Sequence, residues 1–232
     1  MSVTRISTFL GERALTAGSG FFFERDGRLF LVTSRHVFFD EAAGHLPERV
    51  EIVVHTDATN LTLWQVVSLP LYAGGLAAWK QAKDSGGEID VAAIEVPRDL
   101  LPAGAVLSCF GPDNLPKDFS GVEAGSPLLL VGFPLGFYDT VHHLPVVRQA
   151  VIASAYGVRF QGQGFFLTDA RMHRGASGAP VVLRSADAGP LHWKLLGVHS
   201  SRLDMKNRDR VEDESLGLNC AWYADILTTL TR

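Results

Sequence analysis

The stretch Phe21-Phe22-Phe23-Glu24-Arg25-Asp26-Gly27-Arg28-Leu29-Phe30-Leu31-Val32-Thr33-Ser34-Arg35-His36 holds two short apolar runs around an Asp-Gly pair and closes on a histidine. Asp-Gly supplies the left-handed backbone that a two-residue hairpin turn needs, so two antiparallel strands are predicted here. Working outward, further short strands are expected at Val50–Val54, Leu61–Val67 and Ile89–Val96. A second set is expected at Leu128–Phe133, Val146–Ala153, Phe165–Thr168, Ala179–Leu183, Leu195–Ser200 and Leu216–Trp222. Between the sets, Pro, Gly and Asp cluster over Pro97–Ser126, which reads as a connecting segment. Strands at this density, with almost no helical periodicity between them, predict an all-β sandwich or barrel. Helix-compatible spacing is confined to the tail, Tyr223–Leu230, where Asp225 suits the first turn.

The bulk properties agree with that reading. A chain of 232 residues can bury a full core and behave as one unit even if built from two sub-barrels. With 47% apolar and 20% charged residues it is globular rather than disordered. The net charge of −4 and the scatter of basic residues along the chain argue against a nucleic-acid partner. Cys109 and Cys220 are far apart in sequence, which is no disulfide framework; such cysteines serve as small core hydrophobes. Met1–Gly20 lacks the apolar run and cleavage site of a secretory leader, and no stretch approaches membrane-spanning length. No membrane partner and a cytoplasmic location are therefore expected.

Three local features carry chemistry, and they occur in one order. Leu31-Val32-Thr33-Ser34-Arg35-His36-Val37 is an apolar strand ending at an imidazole. Ile89-Asp90-Val91-Ala92-Ala93-Ile94 sets a carboxylate at the mouth of another strand. His173-Arg174-Gly175-Ala176-Ser177-Gly178-Ala179-Pro180 holds a serine bracketed by glycines between two strands. A serine hydroxyl needs a base before it attacks, and a neutral imidazole oriented by a buried carboxylate is that base. Gly175 and Gly178 permit a sharp backbone path that can turn the N–H groups of Gly175 and Ser177 toward one point, as an oxyanion hole. His36, Asp90 and Ser177 are thus the candidate triad. Each feature alone has a bland reading, as a structural histidine, a loop-ending aspartate and a turn; their order and flanking strands single them out.

With these residues in view, the chain resembles a trypsin-like serine peptidase, nearest to bacterial HtrA/Deg-type and related stand-alone proteases. The resemblance is carried by Gly18-Ser19-Gly20-Phe21, the segments ending at His36 and starting at Asp90, and Leu130-Val131-Gly132-Phe133-Pro134-Leu135-Gly136. It continues through Thr168-Asp169-Ala170, the Ser177 segment and Leu196-Gly197-Val198-His199-Ser200. It implies a single peptidase domain over 1–232, made of two six-stranded antiparallel β-barrels, at about 1–105 and 120–222, with a short C-terminal helix at about 223–231. The triad would lie in the crevice between the barrels, with the Ser200 hydroxyl near the catalytic carboxylate. Two departures stand out. Ala176 replaces the aspartate that pairs with a newly cut N-terminus in processed relatives, and no room is expected for an appended PDZ domain.

The same match assigns substrate contacts to Arg171, Met172, His199, Ser200 and Ser201, around a pocket for the residue on the acyl side of the cut. No aspartate stands at its expected base, so cleavage after Lys or Arg is not expected. His199, with Arg171 if that side chain points inward, would favour Glu or Gln; Met172 lining a pocket for medium apolar side chains is the alternative. A protein or peptide substrate is expected, and neither cofactor nor metal. His142 and His143 are adjacent and no Cys/His spacing matches a zinc set. An α/β-hydrolase elbow, Gly-x-Ser-x-Gly, is ruled out because Gly178 follows Ser177 directly. A non-catalytic or latent binding module on the protease fold stays open beside the active enzyme.

Overall fold

The structure is a computed structural model that describes residues 1–186, 188, 191–203 and 215–232. The N-terminal half contains β1 (Val3–Leu10), β2 (Arg13–Arg25), β3 (Arg28–Thr33), α1 (Arg35–Phe38), β4 (Arg49–His55) and β5 (Trp64–Pro70). Five short strands follow, β6 (Tyr72–Ala73), β7 (Leu76–Ala77), β8 (Trp79–Lys80), β9 (Lys83–Asp84) and β10 (Gly87–Glu88), and then β11 (Ala92–Glu95). The C-terminal half contains β12 (Pro127–Gly132), β13 (Val146–Val151), β14 (Phe165–Thr168), β15 (Pro180–Arg184), β16 (Trp193–Leu203), β17 (Leu218–Tyr223) and α2 (Leu227–Leu230). The fold is all-β with a short C-terminal helix, as the strand density predicts.

Two antiparallel sheets carry the structure. The first has seven strands in the order β5-β4-β1-β2-β3-β11-β8, and the second six in the order β13-β12-β15-β16-β17-β14. The expectation of two closed six-stranded barrels is corrected on two counts. The first sheet has a seventh strand, and its edges are joined through Leu71, which donates to Glu48 O (2.8 Å) and accepts from Ala78 N–H (2.9 Å), rather than by a ladder. Two-residue β8 is too short to pair across that gap. In the second sheet the edges meet only at a single bridge between Ile152 and Thr168. No helix among the described residues is long and apolar enough to cross a membrane.

The Phe21–Phe23 run explains how the halves fit together. Side chains alternate across a strand, so a run apolar at every position is buried on both faces. Phe22 and Leu31 join a cluster under the first sheet with Ile6, Val50, Ile52 and Ile94. Phe21, Phe23 and Val32 face the other way, into a cluster shared with Leu167, Val198 and Trp222 of the second sheet and Leu227 of α2. A third cluster, with Leu130, Phe166, Val181 and Leu196, fills the second sheet. Each fully buried phenylalanine contributes about 1.5–3 kcal/mol of transfer free energy. The shared cluster therefore fixes the end of β3 against the loop that enters β15.

The hairpin turn at Asp26-Gly27 is present, with φ of 52° and 76° and Arg25 paired to Arg28. Strand β1 and the first half of β2 were not legible in the sequence. Their inward positions include Thr4 and Thr8, both buried, whose hydroxyls bond to Val53 O (2.9 Å) and Thr16 O (3.2 Å). Strand β5 starts at Trp64 rather than Leu61, because Asn60 Oδ1 accepts from Thr62 N–H (3.2 Å) and holds Leu61–Leu63 in a turn.

Candidate active site

His36 sits in the single turn α1 directly after β3. The ladder of β3 with β11 matches Thr33 to Ala92, which brings Asp90, two residues earlier, alongside that turn. The Asp90 carboxylate holds His36 twice: Oδ2 is 2.7 Å from Nδ1, and Oδ1 accepts the backbone N–H at 2.9 Å. Ser200 Oγ donates to the same Oδ2 at 2.5 Å. The His36 and Asp90 side chains are 34% and 22% exposed, so the pair faces solvent on one side only. Burial pulls the His36 pKa down, but the hydrogen bond and charge of Asp90 outweigh it and the pKa stands above the usual 6.5. Burial likewise opposes the Asp90 charge, yet the bonds from His36 and Ser200 hold its pKa below the ordinary carboxylate value.

The Ser177 loop depends on its two glycines. Gly175 and Gly178 have φ of +87° and +86°. A Cβ at Gly175 would lie 2.6 Å from Phe133 O, and one at Gly178 would lie 2.1 Å from Thr33 Oγ1 and 2.2 Å from Ser19 O. No side chain fits either position. The loop is tied down by Ser19 N–H to Ser177 O (2.9 Å), Gly178 N–H to His199 O (2.8 Å) and Leu135 N–H to Arg174 O (2.5 Å). Among the described residues, the N–H groups of Gly175 and Ser177 have no protein acceptor, while Ala176 N–H between them bonds to His173 O (3.2 Å). Two free donors bracketing a hydroxyl can receive a developing oxyanion.

The hydroxyl itself is bonded elsewhere than to the imidazole. Ser177 Oγ donates to Ser200 O at 3.1 Å and makes no hydrogen bond to His36. Catalytic hydrogen bonds of this kind are often loose until substrate binds.

The residues expected to meet substrate divide by burial. Along 170–173 the backbone alternates: Ala170 and Met172 point inward, Arg171 and His173 outward. Met172 is 3% exposed and packs within the core of the second sheet. Arg171 and Ser201 are exposed, and Ser200 is buried against Asp90. His199 is 2% exposed, and its Nδ1 has no partner among the described residues. Burial, with the nearby His36 charge adding to it, lowers its pKa to about 4, so the ring is neutral near pH 7.

One support was missed in the sequence. Ser19 Oγ donates to Gly175 O (2.8 Å) and accepts from Phe133 N–H (3.0 Å), joining β2, the Ser177 loop and the end of β12. A serine in a Gly-Ser-Gly run reads only as a turn, and nothing local marks it as a brace.

The profile of the trypsin-like peptidase domain family matches residues 18–188. The chain therefore belongs to the trypsin-like peptidases. No curated protein matches it by sequence. Among solved structures, a serine endoprotease from Yersinia pestis is similar at 15% identity and a TM-score of 0.55, over 99% of this chain and 61% of that one. An HtrA-type protease solved with a tripeptide is similar at 16% identity and a TM-score of 0.56, over 99% of this chain and 58% of that one. The chain thus spans about three-fifths of the length of both. A scabies mite inactivated protease paralogue is similar at 18% identity and a TM-score of 0.61, over 99% and 92%. At these identities the likeness is one of fold.

Proposed function

We propose that the protein is a serine endopeptidase with His36, Asp90 and Ser177 as its triad. The observation that carries this is the double grip of Asp90 on His36, 2.7 Å to Nδ1 and 2.9 Å to the backbone N–H, which fixes the ring and leaves Nε2 for the nucleophile. His36 Nε2 takes the Ser177 proton as Oγ attacks the peptide carbonyl, and Asp90 stabilises the imidazolium. The N–H groups of Gly175 and Ser177 receive the oxyanion. His36 then protonates the leaving amine, giving an acyl-enzyme that water hydrolyses by the same steps in reverse roles. The neutral His199 would favour Glu or Gln on the acyl side of the cut, since an imidazole N–H donates to a side-chain oxygen, whereas the outward-facing Arg171 is left outside the pocket.

A latent form is the second reading, favoured by the Ser177 hydroxyl bonding to Ser200 O rather than to His36. A fluorophosphonate probe distinguishes the two. Rapid labelling lost in Ser177→Ala supports a competent triad; slow labelling that accelerates with added peptide supports the latent form. Absence of Ser177-dependent labelling under both conditions would refute both.

A further inference from the structure

Basic residues scattered along the sequence are brought by the fold to the surface beside the Ser177 loop. Arg171, His173 and Arg174, in the segment leading to Ser177, are all exposed. Arg202 is exposed two residues beyond Ser200, whose carbonyl holds Ser177 Oγ. Arg148 of β13 lines, with His173, a groove of about 710 Å³ whose other walls include Leu135, Gly136, Phe137 and Val147. That groove adjoins the oxyanion loop through the bond from Leu135 N–H to Arg174 O.

Among the described residues, no carboxylate lies within ion-pair distance of Arg148, Arg171, Arg174 or Arg202. Elsewhere Arg28, Arg49 and Arg159 hold carboxylates at 2.5, 3.2 and 2.7 Å. Among the described residues, Asp169 uses its Oδ1 to accept Val151 N–H (2.7 Å), and Asp40 lies on the side of His36. Arg148 in the groove and Arg174 in the loop beside it carry positive charge with no described carboxylate paired to them, in a chain of net charge −4.

We propose that this surface recognises an acidic stretch of polypeptide, with carboxylates flanking the residue seated at Ser177 rather than only inside one pocket. The proposal deepens the endopeptidase reading and rests on it for the bond that is cut. Guanidinium groups meet carboxylates through paired, charge-assisted hydrogen bonds. A polypeptide fits better than a phosphate chain, because Leu135, Phe137 and Val147 are 70%, 68% and 57% exposed beside Arg148 and His173. Apolar walls interleaved with arginines suit alternating apolar and acidic side chains.

Fluorescence anisotropy on the Ser177→Ala variant of the 232-residue chain tests binding without requiring turnover. Three labelled peptides of one length, with Glu, Gln or Lys flanks around a common centre, serve as probes. The Glu peptide should bind at least about tenfold tighter than the Gln peptide at low salt. The two should converge at high salt, as the Debye length falls from about 30 Å at 0.01 M to about 3 Å at 1 M. Adding Arg148→Gln with Arg174→Gln should remove most of that ratio. Equal affinity for the Glu and Gln peptides, an undiminished ratio in the double variant, or equal competition by an oligonucleotide of matched charge would each overturn the proposal. Hydrolysis by the unsubstituted protein, of either peptide, judges the endopeptidase reading separately.

Discussion

Asp90 carries three of the contacts that organise the site, two from His36 and one from Ser200. Its replacement is therefore informative in two ways. Asp90→Asn should lower kcat on the order of 10⁴-fold by favouring the wrong imidazole tautomer. It should also lower the His36 pKa, since the hydrogen bond and charge that raise it are lost; NMR titration of the imidazole reads this directly. In the unsubstituted protein kcat/KM should rise with pH as His36 loses its proton, with a midpoint above the usual 6.5. His199 titrates in the opposite sense. It stays neutral in the fold down to about pH 4, whereas an unfolded histidine takes up its proton near 6.5. The unfolded state then binds more protons between these values, so stability falls as pH drops from about 6.5 to 4, by on the order of 3 kcal/mol. Urea unfolding should show that slope, and His199→Leu should flatten it.

At the scale of elements, β2 and the Ser177 loop act together through Ser19. Ser19→Ala removes the donor to Gly175 O and leaves Phe133 N–H without its acceptor, at a cost of about 1–3 kcal/mol. kcat should fall more than KM changes, since the oxyanion loop loses its brace while the cleft rim is untouched; unfolding curves and steady-state kinetics measure the two effects. Gly175→Val should be more severe, because a Cβ meets Phe133 O at 2.6 Å and φ is +87°. The same elements mark what could be read beforehand. Apolar runs such as Phe21–Phe23 and Leu128–Leu130 announce strands because burial shows in residue type. Strand β1 was hidden because threonines occupy buried positions and satisfy their hydroxyls only through Val53 and Thr16, contacts made by folding. The glycines around Ser177 were legible for their chemistry, while the Ser19 brace depends on residues more than a hundred positions away.

For the whole molecule, the cluster shared by both sheets is what brings α1, Asp90 and the Ser177 loop to one cleft, since Phe21 and Val32 pack against the same core as Val198 and Trp222. The order His, Asp, Ser along the chain carries that information in outline. The burial of Met172 and the placing of Arg148 beside His173 do not follow from composition; they emerge from the register of 170–173 and the approach of β13 to that segment. An inactivated paralogue among similar structures is a reminder that the fold alone does not make an enzyme. The direct test is hydrolysis of a peptide library by the unsubstituted protein and by Ser177→Ala, at a pH above the His36 midpoint. The account predicts cleavage products, preferentially after Glu or Gln, that fall by on the order of 10⁶-fold in the variant; equal product formation by a folded Ser177→Ala protein, or none by either, would contradict it.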